Sequence, residues 1–241
     1  MKINPKKTTC MLLGSKHKLK VENNLCLKIG EDTIQNVNEQ KLLGVIIDST
    51  LSWESQINYV CKRVNTKIAL FKKLSFYLNH EMKIMYYNAY ILPSLEYCCV
   101  VWGRNKLSHI KQLTRLQKRA AKLVINSPKL QPNENIFQKL GCLSFESRCK
   151  YHTAVLVYKS MHGEAPDYLK DLLTFSPNDR YNLRSVSKMN IAQIKYNTMY
   201  KKNSFLNFSK SIWNSLPETI KFSKSVNAFK YNCKKHLEKK Q

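Results

Sequence analysis

Residues 41–78 read KLLGVIIDSTLSWESQINYVCKRVNTKIALFKKLSFYL, and the spacing of their apolar side chains changes part-way. Leu42 through Ile47 are all apolar or Gly, and an acid, Asp48, follows at once. From Trp53 onward the apolar positions are Trp53, Ile57, Val60, Cys61, Val64, Ile68, Phe71, Leu74 and Leu78, at steps of three and four. That is a single helical stripe, and Ser52 stands where an N-cap is expected. The chain therefore reads as extended before this point and helical after it.

Toward the N-terminus, TTCMLLG (8–14), VENNLCLKIG (21–30), DTIQNV (32–37) and KLLGVIID (41–48) are short apolar or alternating runs split by Gly, Asn and Lys. They predict three or four short strands paired as hairpins. So few strands need a cover for their apolar faces.

Toward the C-terminus, Asn79 either breaks the first helix or caps a second from about His80, carrying Met82, Met85, Ala89 and Leu92. Pro93 predicts a kink or break in it. LEYCCVVWG (95–103) is nearly all apolar and is expected to be buried, with Gly103 ending it. Ser108 is placed to cap a third helix, HIKQLTRLQKRAAKLVI (109–125). Its inner set is Ile110, Leu113, Gln117, Ala120, Ala121 and Val124. NSPKLQPNEN (126–135) reads as a linker. Helices are expected near 134–140 and at 144–162, 203–215 and 224–238, with a loop at 174–190. The fold class is α+β, mostly α: short N-terminal β-hairpins, a helical bundle and a second helical region. The segments are 1–52, 53–126 and 127–241.

The 241 residues carry 41 Lys+Arg against 16 Asp+Glu, a net charge of +25. Residues 1–125 hold 21 basic and 8 acidic side chains and residues 126–241 hold 20 and 8, so this is no basic tail on a neutral domain. Such an excess favours a polyanion, through release of phosphate counterions. MKINPKKTTC has no apolar leader, and no run reaches the length of a membrane span. The expected setting is intracellular, nucleus or cytoplasm, with no membrane partner and the eight cysteines as free thiols.

Catalytic patterns are scarce. Two-metal phosphoryl chemistry needs paired carboxylates, and Asp48 stands alone, so it is read as opening a turn. Adjacent Cys98 and Cys99 are poor ligands for one zinc, and Cys142, Cys149 and His152 lack a fourth partner. GxSxG, GxxxxGK[ST] and GxGxxG do not occur among only six glycines. No catalytic or metal residue and no cofactor is assigned.

What remains is binding. Lys111, Arg115, Lys118 and Lys122 stand at offsets 0, 4, 7 and 11 of the third helix, on one face, with Arg119 beside them. They are the candidate phosphate contacts. Tyr86, Tyr87, Tyr90 and Tyr97 can stack on bases, although aromatic residues at this spacing more often pack in a core.

Several strings occur together in a telling order: INPKKTTCMLLG, KLLGVIIDSTLSW, AYILPSLEYCCVVWG, LQKRAAKLVI, LGCLSFESR, LVYKSMHGEAPDYL, YNLRS, SIWNSLPETI and NAFK. The set resembles the C-terminal third of reverse transcriptases of non-LTR retrotransposons, of the jockey and CR1 kind, over nearly the whole chain. The resemblance implies that residues 1–48 are the last strands of a palm, with Lys6 or Lys7 near the incoming nucleotide. It implies that Leu43, Gly44 and Val45 belong to a primer-grip-like strand pair, that 53–125 is a thumb along the template–primer duplex, and that 130–241 is a C-terminal extension. The family's aromatic-Ala-Asp-Asp turn lies upstream of the matched region. The implied activity is therefore at most sequence-independent binding of an RNA/DNA duplex, with no polymerisation by this chain alone. The alternatives are an interaction protein, docking a partner through the surface that would face the palm, and a decayed element without function.

Overall fold

The computed structural model describes residues 3–21, 26–104, 106–126, 136–173, 190–192, 196, 198, 200–201 and 204–240. By its contacts the chain forms two compact units, Met1–Arg63 and Val64–Gln241. The division falls inside a helix, and helices on both sides of residues 126–135 belong to the second unit. The proposed linker itself lies, from residue 127 on, outside the described residues, as does the expected loop from 174 to 189.

The first unit holds a 3-10 turn, Pro5–Lys7, then β1 (Thr9–Cys10), α1 (Lys16–Val21), β2 (Lys28–Ile29), β3 (Asp32–Thr33), β4 (Gln35–Asn36), β5 (Glu39–Leu42), β6 (Val45–Asp48) and the start of α2 (Glu54–Leu74). Three two-stranded sheets form: β2 with β3, β5 with β6, and β1 with β4. The last pair runs parallel, Thr9 opposite Gln35, so not every strand sits in a hairpin as expected. A helix, α1, also occupies ground read as extended. The Ser15 hydroxyl accepts from the Lys18 backbone N–H at 3.3 Å, satisfying an orphan donor of its first turn. The β5–β6 hairpin turns on Leu43 and Gly44, at φ 47° and 86°. Positive φ at both central residues is what a tight hairpin needs to match strand twist. The apolar run 42–47 is thus folded back on itself, leaving Leu42 and Leu43 exposed and Val45 buried.

The second unit continues α2 and adds α3 (His80–Tyr86), a π-helical turn (Tyr87–Ile91), α4 (Leu92–Glu96), α5 (Cys99–Trp102), α6 (Leu107–Val124), α7 (Ile136–Lys139), α8 (Phe145–Met161), α9 (Asp167–Asp171), α10 (Phe205–Ser215), α11 (Glu218–Lys221) and α12 (Val226–Lys239). The stripe read from sequence is buried at Val64, Ile68 and Phe71, but α2 ends at Leu74 and a turn follows. Asn79 caps α3, its side chain accepting from the Met82 N–H at 2.8 Å.

Pro93 does not break the helical run, which continues from His80 through Glu96, with a π turn at Tyr87–Ile91 just before it. Close by, the Tyr90 carbonyl accepts from the Lys67 ammonium at 2.8 Å and the Ser94 hydroxyl at 3.1 Å. Residues 95–103 are only half buried: Leu95, Cys99 and Trp102 point inward, while Tyr97, Cys98 and Val101 are exposed. Cys98 at φ 52° breaks the run and gives α5 a new direction. Ser108 lies inside α6 rather than capping it, since the helix starts one residue earlier.

The core centres on α8, which Ser144 caps although the sequence reading placed that residue inside the helix. Tyr158 stacks on Phe229 at 4.3 Å between ring centres, and Phe229 on Trp213 at 6.0 Å, joining α8, α12 and α10. Among the described residues no helix is long and apolar enough to cross a membrane.

Candidate nucleic-acid interface

Helix α6 separates its two faces cleanly. Leu113, Leu116, Gln117, Ala120, Ala121 and Val124 are buried. Lys111, Arg115, Lys118, Arg119 and Lys122 are all exposed. At about 100° per residue, Lys111, Arg115, Lys118 and Lys122 fall within about 60° of arc, opposite the buried set, and Arg119 flanks them. Burial fixes the rotation of the helix, so it also fixes the outward aim of the cations. Leu116 belongs to the inner set and was missed by the sequence reading.

Gln117 explains why a polar residue sits in that inner set. Its Nε2 donates to the Tyr87 hydroxyl at 3.0 Å and to the Leu143 carbonyl at 2.9 Å. This ties α6 to the π turn and to the residue before the α8 cap. Arg119 Nη1 donates to Asn65 Oδ1 on α2 at 3.0 Å. The Lys118 ammonium lies 6.0 Å from the Phe137 ring centre. Among the described residues no carboxylate pairs with any of the five cations. The face is uncompensated positive charge on a rigid rod, which suits a row of phosphates.

The other candidates lie in the first unit. Lys6 and Lys7 form the exposed end of the Pro5–Lys7 turn, which the Asn4 side chain caps through the Lys6 N–H at 3.1 Å. Leu43 and Gly44 are the hairpin turn itself, and Val45 opens β6 with its side chain inward.

Asp48, at the end of β6, organises the chain's entry into α2. One oxygen accepts from the Thr50 hydroxyl at 2.6 Å and from the backbone N–H groups of Thr50 and Ser52 at 3.1 and 2.9 Å. The other accepts from the Trp53 N–H at 2.8 Å. Burial pushes this carboxyl up, but the donors of Thr50, Ser52 and Trp53 together outweigh it and hold it below its usual value. Leu51 and Trp53 take positive φ, 50° and 61°, around this carboxylate. The turn-opening reading of Asp48 is what the geometry gives. The expected Ser52 cap is partial: its hydroxyl accepts from the Glu54 N–H at 3.4 Å, with Trp53 intervening before the helix.

Among the described residues no three His, Cys, Asp or Glu side chains are grouped to hold a metal ion, and each zinc candidate has another neighbour. Cys142 Sγ faces the Tyr87 hydroxyl at 3.8 Å, Cys149 Sγ faces the Gly103 carbonyl at 3.9 Å, and His152 Nε2 meets Glu96 at 3.1 Å. The tyrosines divide. Tyr87 is core. Tyr86 stacks between Phe71 (4.6 Å) and Tyr90 (5.1 Å), and Tyr90 and Tyr97 are exposed. Sequence reading overlooked Phe76 and Tyr77, in the turn after α2, which are 89% and 82% exposed. Ending α2 at Leu74 is what releases them.

The chain is similar to a probable RNA-directed DNA polymerase from transposon X-element of Drosophila melanogaster, 28% identical over 101 residues. The match covers 40% of this chain, and it spans only 11% of that protein's length. No protein-family pattern and no solved structure matches the chain. The similarity supports a relation to the reverse transcriptases of transposons.

Proposed function

We propose that this chain is part of an RNA-directed DNA polymerase of a non-LTR retrotransposon, of the jockey or CR1 kind, from the C-terminal side of its catalytic centre. Its own contribution is a sequence-independent grip on the template–primer duplex, and it does not carry the paired catalytic acids. The observation that carries this reading is the exposed, unpaired row Lys111, Arg115, Lys118 and Lys122 on a helix whose opposite face is buried. The net charge of +25 and the similarity to a transposon polymerase support it. Lys6 or Lys7, on the exposed turn, lies near the incoming nucleotide, and the 43–45 hairpin helps grip the primer end.

The test is salt dependence. Each phosphate contact adds about 0.9 to the slope of log affinity against log salt on a duplex. Changing the four α6 cations to Ala should lower that slope by about 3 to 4 while the fold persists. An unchanged slope overturns the assignment of this face.

A second reading, docking of a protein, has its own observation. Leu70, Phe76, Tyr77, Met82 and Met85 are at least half exposed around the α2–α3 turn. Large exposed apolar groups in one region mark contact surfaces. A complex held there survives salt that strips the duplex.

A further inference from the structure

Helices α8, α10 and α12 line, with Arg104, a solvent-open cleft of about 380 Å³. Its chemistry is cationic. Arg104, Lys150 and Lys240 line it against one carboxylate, Glu146, and His236 and Ser211 complete the polar wall. Lys150 meets Glu146 at 2.8 Å, one turn apart on α8. That pairing leaves Arg104 and Lys240 as excess charge.

The Arg104 guanidinium lies over the Phe208 ring, 3.8 Å from the ring centre. Partial burial pushes its pKa down, and Glu146 pulls the other way. Burial, with the charges of Lys240 and Lys239, pushes the His236 imidazole below its usual value. Burial is the larger cause, and Lys240 and Lys239 add to it, so the ring lies within reach of the local cations.

We propose that this cleft is a phosphate site, taking the phosphate monoester of a nucleotide or of a nucleic-acid end between Arg104, Lys150 and Lys240. Two excess positive charges match a phosphate dianion better than a single carboxylate. A guanidinium offers a planar fork that can engage two phosphate oxygens, and lysine supplies point charge. The volume lies at the low end of the range of small-ligand pockets, about 300 to 1,000 Å³, which suits a nucleotide-sized group. The three cations come from positions 104, 150 and 240, so no spacing in the sequence brings them together.

His236 is the probe. Its ring pKa is followed by NMR with and without inorganic phosphate at constant ionic strength, with chloride as the balancing anion. A bound dianion raises it by about 1 pH unit, while the other histidines stay put. The double variant K150Q/K240Q loses that response and remains folded, since both side chains reach solvent. A His236 that does not move, or that moves in step with the other histidines, overturns the proposal. Repeating the titration with a nucleoside monophosphate, and with an oligonucleotide carrying or lacking a 5′-phosphate, separates the two sources of the group. The inference does not rest on the duplex reading. The variant with all four α6 cations changed to Ala keeps the His236 response, so the failure of one reading leaves the other standing.

Discussion

The side-chain amide of Gln117 donates to the hydroxyl of Tyr87 at 3.0 Å, with Gln117 fully buried and Tyr87 nearly so. The same amide reaches the Leu143 carbonyl. Three segments distant in sequence meet at one polar group, and the cationic face of α6 is aimed outward because this group locks the helix inward. Replacing Gln117 by Leu leaves the Tyr87 hydroxyl without its amide partner in a dry place. The cost should be about 1 to 3 kcal/mol in a urea melt. Adding Tyr87→Phe should recover part of that loss, because both polar partners are then gone. A double variant less stable than the two single losses added together contradicts the coupling.

The Glu96 carboxylate receives both Arg148 and His152 of α8. All three side chains are substantially shielded from water. Glu96→Gln leaves Arg148 without its counter-ion at a half-buried site and should cost about 1.5 to 3 kcal/mol, the range for hydrogen bonds to charged groups. Lys150→Gln, which breaks the more exposed pair with Glu146, should cost no more than about 0.5 kcal/mol. Thermal melts of the two variants side by side check the contrast.

Acid should loosen both units. Burial pushes Glu96 up, but His152 and Arg148 together hold it below 4.5, and the donors around Asp48 hold that group below 3.8. A carboxyl whose folded pKa is depressed adds stability that is complete above its unfolded value and is lost as pH falls through the folded one. Stability should therefore be level above about pH 5 and fall progressively below about pH 4.5. Asp48→Asn should cost about 1 to 3 kcal/mol at neutral pH and progressively less in acid. A penalty independent of pH would contradict the charged hydrogen bonds assigned to Asp48.

Gly103 has no room for a side chain. A Cβ there would stand 2.5 Å from the Cys99 carbonyl oxygen and 2.7 Å from Cys149 Sγ. The first contact is backbone and cannot swing away. Gly103→Ala should cost about 1 to 3 kcal/mol, the range for overpacking in a core. Gly141→Ala meets no neighbour, and its cost should come only from a φ of 61°. Melting curves distinguish the two, since only the first depends on Cys149. Cys149→Ala should relieve part of the Gly103→Ala loss.

Phe76 and Tyr77 touch each other edge-on at 5.5 Å and little else. Changing both to Ser should leave the melting temperature within about 2 °C, because exposed substitutions shift stability by about 0.5 kcal/mol or less. If the protein-docking reading holds, the same change abolishes salt-resistant complexes without altering the salt slope on duplex.

Periodicity carried the reading wherever one face of an element is buried. The stripe from Ile57 to Phe71, the cap at Asn79 and the two faces of α6 are local patterns, and the structure repeats them. They are legible because a helix must bury one side and leave the other wet. The first unit was harder. Strands of two to four residues give alternation too short to register, which is why α1 went unseen and the parallel β1–β4 pair was taken for a hairpin. Leu43 looked like strand core because it is apolar; only the chain reversal puts it at a turn with positive φ.

The amino-acid sequence by itself determined the helical majority, the excess of positive charge and the offsets that collect four cations on one side of α6. The tertiary structure alone decided which groups meet across the chain. Gln117 with Tyr87 and Leu143, Glu96 with Arg148 and His152, and Arg104 with Lys150 and Lys240 are separated by 26 to 136 positions in sequence. Their pairing follows from how helices pack around α8. Local spacing encodes which face of a helix is buried. It does not encode which other segment covers that face, and long-range partners are chosen only when the core closes.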